Sequence, residues 1–321
     1  MKRFSEVLQW ALLWPLLAMV CWGVYGPTLG QAKVAFGGSI ALALAMIGIA
    51  YGIHGVGTGL ALLTFGVVPD KGNWNTEGWK KGLAAGALGI GGNLCLISAL
   101  HFYHNVVVVM PLVFGGVQMF NTVFTCLALR TMPKRGFFAG VLLLTVGVVL
   151  ALAVRPASPH QEGAINWLFL PCVIGVWLCW GRYGGQVQTT IGSFGKSGIR
   201  AMVALSVACL VLGAGGGFAA FQLGLEPSAI LAEDGVTKGL IAGLITTSGA
   251  WGISFGNRYV KGGHAVVMPL VFAGAPVVNT MYAMKLAKIG IAAIHPLFWL
   301  AIALIIAGGY LVLTQKPETA H

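Results

Sequence analysis

Charge is what this sequence has least of: 8% of its 321 residues are Asp, Glu, Lys or Arg, and only 8 residues are acidic. A soluble domain carries about 25% charged residues because its surface must meet water. With 57% hydrophobic residues and a mean hydropathy of +0.86, a soluble globule is excluded. Polar stretches long enough for a second domain are also lacking. That excludes a receptor with a folded ectodomain, an ATP-driven pump with its own nucleotide domain and, despite the net charge of +11, a nucleic-acid binder. The apolar runs are too long for an outer-membrane barrel, whose strands alternate over about ten residues. No Cys-x-x-Cys pair occurs, and Cys21, Cys95, Cys126, Cys172, Cys179 and Cys209 all fall in apolar stretches. They read as small buried hydrophobes, with neither a disulfide framework nor a metal site.

What the sequence has in quantity is apolar runs of spanning length. Breaks marked by charge, Pro or Gly divide them into ten expected helices near 8–30, 37–67, 80–101, 105–129, 134–153, 165–189, 198–222, 238–258, 264–286 and 293–314. Ten spans of about 20 residues account for some two-thirds of the chain. The first follows Lys2 and Arg3 like a signal peptide, but its length, and a copy of its end later in the chain, argue that it stays.

That copy belongs to a tandem duplication. Cys21-Trp22-Gly23-Val24-Tyr25-Gly26 returns as Cys179-Trp180-Gly181-Arg182-Tyr183-Gly184, a displacement of 158. The same displacement carries Met110-Pro111-Leu112-Val113-Phe114 to Met268-Pro269-Leu270-Val271-Phe272, Asn121-Thr122 to Asn279-Thr280, and Gly55, Gly57 and Gly59 to Gly213, Gly215 and Gly217. A first five-helix repeat over 1–158 and a second over 159–321 follow, joined through the polar segment Arg155 to Gly163. Five is odd, so the second copy enters the membrane from the opposite side. The expected fold is all-α and integral to the membrane, ten helices in two inverted repeats. With the N-terminus inside, thirteen Lys and Arg fall at cytoplasmic ends against five outside. Both termini are therefore expected in the cytoplasm, with the chain in the cell (inner) membrane.

Two inverted copies of five short-looped, Gly-rich helices, each with a Pro early in its fourth helix, resemble the drug/metabolite transporter superfamily over the whole chain. The Gly91-Gly92-Asn93 to Ala99 stretch followed by the Met110-Pro111 helix is similar to the rhamnose and glucose/ribose porter branches. The resemblance implies a central cavity between two four-helix groups, with the fifth helix of each half peripheral. It implies carriage of a small polar metabolite: a sugar, a sugar acid or a related carboxylate. The expected partners are that small molecule and the lipid bilayer, with a homodimer contact open to the fifth and tenth helices. No cofactor, metal or nucleic acid is expected.

Residues that could carry transport come from breaks and from polar groups within spans. Pro111 and Pro269 free the carbonyls of Val107 and Ala265 and are candidate hinges. The spacings Gly55/Gly59, Gly82/Gly86, Gly213/Gly217 and Gly239/Gly243 fit close helix packing. Asn121 and Asn279 either contact a hydroxylated substrate or tie helices together. Asn93, with Trp251 at its matched position, suggests a site polar on one side and aromatic on the other, extended by Trp22, Trp180, Tyr25 and Tyr183. Arg182 replaces Val24 of the first half and shares a helical face with Gln186 and Thr189. No Asp or Glu lies within a span to neutralise it, so an anionic or oxygen-rich ligand is expected there. His54 is the candidate proton site. An alternative is an exporter of aromatic or cationic amines held on the Trp/Tyr set, which Arg182 in the cavity would oppose. An intramembrane enzyme would need a paired nucleophile and base or a metal cluster, and neither spacing occurs. A channel would usually be a smaller oligomerising unit with a ring of identical polar groups, whereas alternating access uses the inverted duplication directly.

Overall fold

Two serines start matched helices in the same way. Ser39 accepts a hydrogen bond from the Leu42 N–H, and Ser197, 158 residues further on, accepts one from the Arg200 N–H, both at 3.0 Å. Each satisfies a first-turn N–H that has no carbonyl partner within its helix. A carboxylate from the opposite half reinforces each cap. Glu226 accepts from the Ser39 hydroxyl and from the N–H groups of Ile40 (3.1 Å) and Ala41 (3.2 Å). Asp70 accepts from the Ser197 hydroxyl and the Arg200 guanidinium, both at 2.5 Å. Two of the eight acidic residues thus clamp one half of the chain onto the other.

The computed structural model describes residues 2–66, 68, 70–130, 132, 134–154, 166–226, 228–260, 264–288, 290 and 294–314. Among them are ten helices: α1 Lys2–Ala35, α2 Ile40–Thr64, α3 Thr76–Phe102, α4 Val106–Leu129, α5 Arg135–Ala153, α6 Phe169–Ser193, α7 Gly198–Gln222, α8 Glu233–Tyr259, α9 His264–Leu286 and α10 Pro296–Thr314. No strand occurs among the described residues. Six helices, namely α1 from Leu13, α2, α3, α4 to Phe124, α7 and α8, are long and apolar enough to cross a membrane. Shorter apolar stretches lie in α5, α9 and α10. The helix in neither group is α6, whose apolar character is diluted by Arg182, Gln186, Gln188, Thr189 and Thr190. The chain is an all-helical, membrane-embedded protein.

Expected and observed positions agree except at ends set by caps. α1 runs on to Ala35 through Pro15 and Pro27, because neighbouring helices tolerate proline inside membrane helices. Lys33, one of the five basic residues expected outside, falls within this longer helix and is buried. α3 begins at Thr76, where the Asn75 side chain accepts from the Gly78 N–H. The junction at 158/159 lies outside the described residues.

The halves do not stand apart. α1 packs chiefly on α8 and α9, α3 on α6 and α7, α4 on α6, and α5 on α10, so each main helix pair joins one half to the other around one shared core. All eight glycines of the four spacings noted above face a neighbouring helix. At the α5–α10 contact a Cβ on Gly140 would stand 2.8 Å from the Gly308 carbonyl oxygen. The smooth faces of these two helices are used against each other, and what α5 turns outward is Phe138, Leu142 and Val149.

In the middle of α2 and α7 the helical winding loosens into π segments, Tyr51–Gly57 and Leu210–Gly215, at positions the duplication relates. The two helices meet there backbone to backbone. A Cβ on Gly48 would lie 2.2 Å from the Ala214 nitrogen, so any side chain would drive α2 and α7 apart.

Candidate functional site

Glycine also seats the two duplicated tryptophans. A Cβ on Gly92 of α3 would stand 2.1 Å from Nε1 of Trp180, and one on Gly249 of α8 would stand 2.4 Å from the Trp22 indole. Each indole therefore lies flat in a helix groove that only glycine leaves open. Each also spends its N–H on backbone: Trp180 donates to the Gly89 carbonyl at 3.2 Å and Trp22 to the Thr246 carbonyl at 3.4 Å. The rings then face each other with centroids 6.2 Å apart and planes 16° from parallel. Phe114 and Phe272, another duplicated pair, meet edge to face at 5.8 Å, and Phe272 also packs against Trp22.

Around this stack lies a narrow pocket lined by Trp22, Tyr25, Tyr51, Gly89, Asn93, Phe114, Trp180, Tyr183 and Thr246. No lining residue is charged. Six aromatic side chains form the walls, and their polar atoms are largely paired. The Tyr25 hydroxyl donates to Asn93 Oδ1 at 2.6 Å, Asn93 Nδ2 donates to the Gly89 carbonyl at 3.0 Å, and the Tyr51 and Thr246 side chains share a hydrogen bond. The Tyr183 hydroxyl lacks the amide its counterpart has, because Trp251 occupies the position matching Asn93. No hydrogen bond of that hydroxyl is found among the described residues.

Of the residues expected at the site, the structure gathers Trp22, Trp180, Tyr25, Tyr183 and Asn93. Trp251 is buried beside it, stacked on Phe255 with its N–H donated to the His54 carbonyl at 3.3 Å. Asn121 ties α4 to α6 through the Gly181 carbonyl at 3.1 Å, and Asn279 reaches the Val106 carbonyl at 3.4 Å. Neither lines the pocket.

Arg182 is not among the residues that line this pocket. It lies on the exposed face of α6, its guanidinium 5.9 Å from the Phe124 ring centroid, and does not reach the pocket. At 100° per residue, a position two beyond Trp180 points to the opposite side of the helix. Gln186 is likewise elsewhere, donating to the Lys81 carbonyl at 3.3 Å. His54 sits in the α2 π segment with one ring nitrogen 3.1 Å from the Thr58 hydroxyl and the other 3.1 Å from the Ser248 hydroxyl. It too is not a lining residue. Pro111 lies within α4 and Pro269 within α9, the Pro269 side chain being outside the described ones.

Tyr51, Phe114 and Thr246 are lining residues that sequence reasoning missed. Phe114 ends the duplicated Met-Pro-Leu-Val-Phe motif, which was a usable signal. Tyr51 and Thr246 carried none. Lys33 was missed too: only 2% exposed, it donates to the Leu100 carbonyl at 2.7 Å near the C-terminal end of α3 and lies 3.3 Å from His104 Nδ1. A cation at that end meets the carbonyls the helix leaves unpaired.

Among the described residues no group of metal-ligating side chains is found. No protein-family model and no curated protein matches the chain. Solved structures do share its fold. One, described as "Crystal structure of protein", superposes with a TM-score of 0.61 over 97% of this chain and 100% of its own length, at 18% identity.

Proposed function

We propose that this protein is a secondary carrier that moves a small polar metabolite across the cell (inner) membrane by alternating access. In this reading ten helices span the membrane as two inverted five-helix repeats, with both termini cytoplasmic. The observation that carries it is the Trp22–Trp180 stack. Two copies of one motif, each seated on a glycine of the opposite half, meet at a single central pocket. Inverted repeats joined at a shared site let one half take the other's conformation, opening the site to either side in turn. An enzyme is not supported, since the pocket holds neither a nucleophile with its base nor a metal-ligand set.

The substrate reading shifts with Arg182. An uncharged pocket walled by aromatic faces, with Asn93 and the tyrosine hydroxyls for hydrogen bonding, suits a neutral sugar-like molecule ahead of a sugar acid. The same change favours a second reading, export of an aromatic or cationic amine held against the rings, because no cation in the pocket opposes it.

A thermal-shift screen of detergent-purified protein against neutral sugars, sugar acids and amines separates these readings, because a ligand that binds only the folded state raises the melting temperature. Uptake of the best ligand into proteoliposomes should then fall at least about tenfold in Trp180→Ala, the loss of about 1.4 kcal/mol or more of binding. Uptake unaffected by Trp180→Ala would remove the pocket from the transport path. Single cysteines at 228 and 71, in a background lacking the native six, test orientation, and an impermeant maleimide should label only position 228 in intact cells.

A further inference from the structure

Three of the six cysteines, scattered through the sequence, come together on one helix contact. On α6, Cys172, Gly175 and Cys179 recur at spacings of three and four, so they form one stripe facing α3. Cys95 of α3 sits over the glycine between them, its Sγ 2.7 Å from where a Gly175 Cβ would be. The arrangement is reciprocal: Cys179 Sγ lies 3.5 Å from the corresponding point on Gly91, one turn from Cys95. These reciprocal placements bring the Cys95 and Cys179 thiols within interaction range of each other, with Cys172 near Cys95 as well. All three are free thiols and partly exposed, whereas Cys21, Cys126 and Cys209 are buried. With no metal-ligand group among the described residues, the chemistry open to these sulfurs is with one another.

We propose that Cys95 and Cys179 are a redox-sensitive pair that closes to a disulfide and fastens α3 to α6 beside the pocket. With a small aromatic disulfide as oxidant, one cysteine thiolate attacks an oxidant sulfur, giving a mixed disulfide and expelling one aryl thiol. The second cysteine then attacks the first cysteine's sulfur, closing the Cys95–Cys179 bond and expelling the second aryl thiol. In total two electrons and two protons pass from the cysteine pair to the oxidant. The bond would fix the spacing of the two helices that carry Asn93 and Trp180, two walls of the pocket. The cross-link stands on the packing of α3 against α6; only its effect on transport rests on the function proposed above.

The test is intact-mass and peptide analysis of the purified full chain after treatment with 4,4′-dithiodipyridine. The expected product has lost the two thiol hydrogens of Cys95 and Cys179 and carries no adduct on either of them. It yields a peptide joining 95 to 179 and returns to its starting mass with a thiol reductant. Cys172→Ser should keep this product and Cys95→Ser should lose it. Stable pyridyl adducts on Cys95 and Cys179, a peptide joining 95 to 172, or unreacted thiols in the unaltered chain would each overturn the pairing, and none of these readings depends on a variant folding. In proteoliposomes oxidation should lower ligand uptake at least several-fold, with recovery on reduction. If the link forms and uptake is unchanged, the lock is overturned and the bond alone remains. If no ligand is transported at all, the functional proposal fails while the mass result stands.

Discussion

Matched positions of the two halves divide into those that kept the same job and those that did not. Trp22 and Trp180 each lie on a glycine of the opposite half, each donate to a backbone carbonyl there, and face each other. Ser39 and Ser197 have the same cap with a carboxylate brought from the other half. At Asn93 and Trp251, Val24 and Arg182, and Lys33 and Ile191 the halves part. The shared positions build the frame. The difference at Asn93 and Trp251 makes the pocket lopsided, with Tyr25 held by an amide on one side and Tyr183 without one on the other. A duplicated fold becomes selective for one ligand only where its symmetry is broken, because a symmetric pocket offers the same contacts in two orientations.

The strongest attack on this comparison is at the seats. Gly92→Val and Gly249→Val should each displace an indole and lower stability by about 3 kcal/mol, at the upper end of the overpacking range. Each should also abolish ligand-induced thermal stabilisation. Closely similar losses from the two, measured by melting in detergent, are expected of a shared frame, and a loss from one alone would break it.

A tyrosine pair sharpens the asymmetry. Tyr25→Phe removes the donor to a buried amide oxygen and should cost about 1–2 kcal/mol, whereas Tyr183→Phe should cost under about 0.5 kcal/mol of stability. Ligand affinity should respond in the reverse order, weakening several-fold in Tyr183→Phe. Equal stability costs would mean the two hydroxyls are equivalently held.

A smaller effect is expected at Lys33. Lys33→Met should cost about 1 kcal/mol by leaving the Leu100 carbonyl without its cation, while Ile191→Met at the matched position should be nearly neutral. The smallest concerns Arg182. Outside the pocket, Arg182→Ala should leave ligand affinity within experimental error and change stability by about 0.5 kcal/mol or less, as at other exposed positions. A tenfold loss of affinity would return the guanidinium to the binding path.

How much of this was legible beforehand follows from what each signal depends on. Helix positions depend on long apolar runs, and all ten were readable. The frame depends on identity at one displacement, so Trp22, Trp180, Tyr25 and Tyr183 were found from their copies alone. The rarity of Arg182 within a span singles it out, but its angle on the helix separates it from the pocket. Its place two residues past Trp180 already set it on the far side of α6. Asn121 and Asn279 are duplicated because the fold needs interhelical ties in both halves, so repetition alone does not separate a binding residue from a structural one. The π segments left no trace, since a one-residue change of winding depends on how α2 and α7 meet. Tyr51 reaches the pocket from one of those segments. The thiol group on α3 and α6 was hidden for a similar reason: Cys95 and Cys179 become neighbours only once the halves interleave.

That interleaving bears on how the chain is made. Because α1 completes its packing on α8 and α3 on α6, the first five helices leave the ribosome without the surfaces they are built to meet. They must wait in the bilayer as a loose set, with the groove-forming glycines of α3 empty, until more than half the protein has followed. Contacts so distant along the chain are slow to form. A chain cut in the polar segment between the halves should therefore give two pieces that are each protease-sensitive when produced alone. Produced together, they should protect one another.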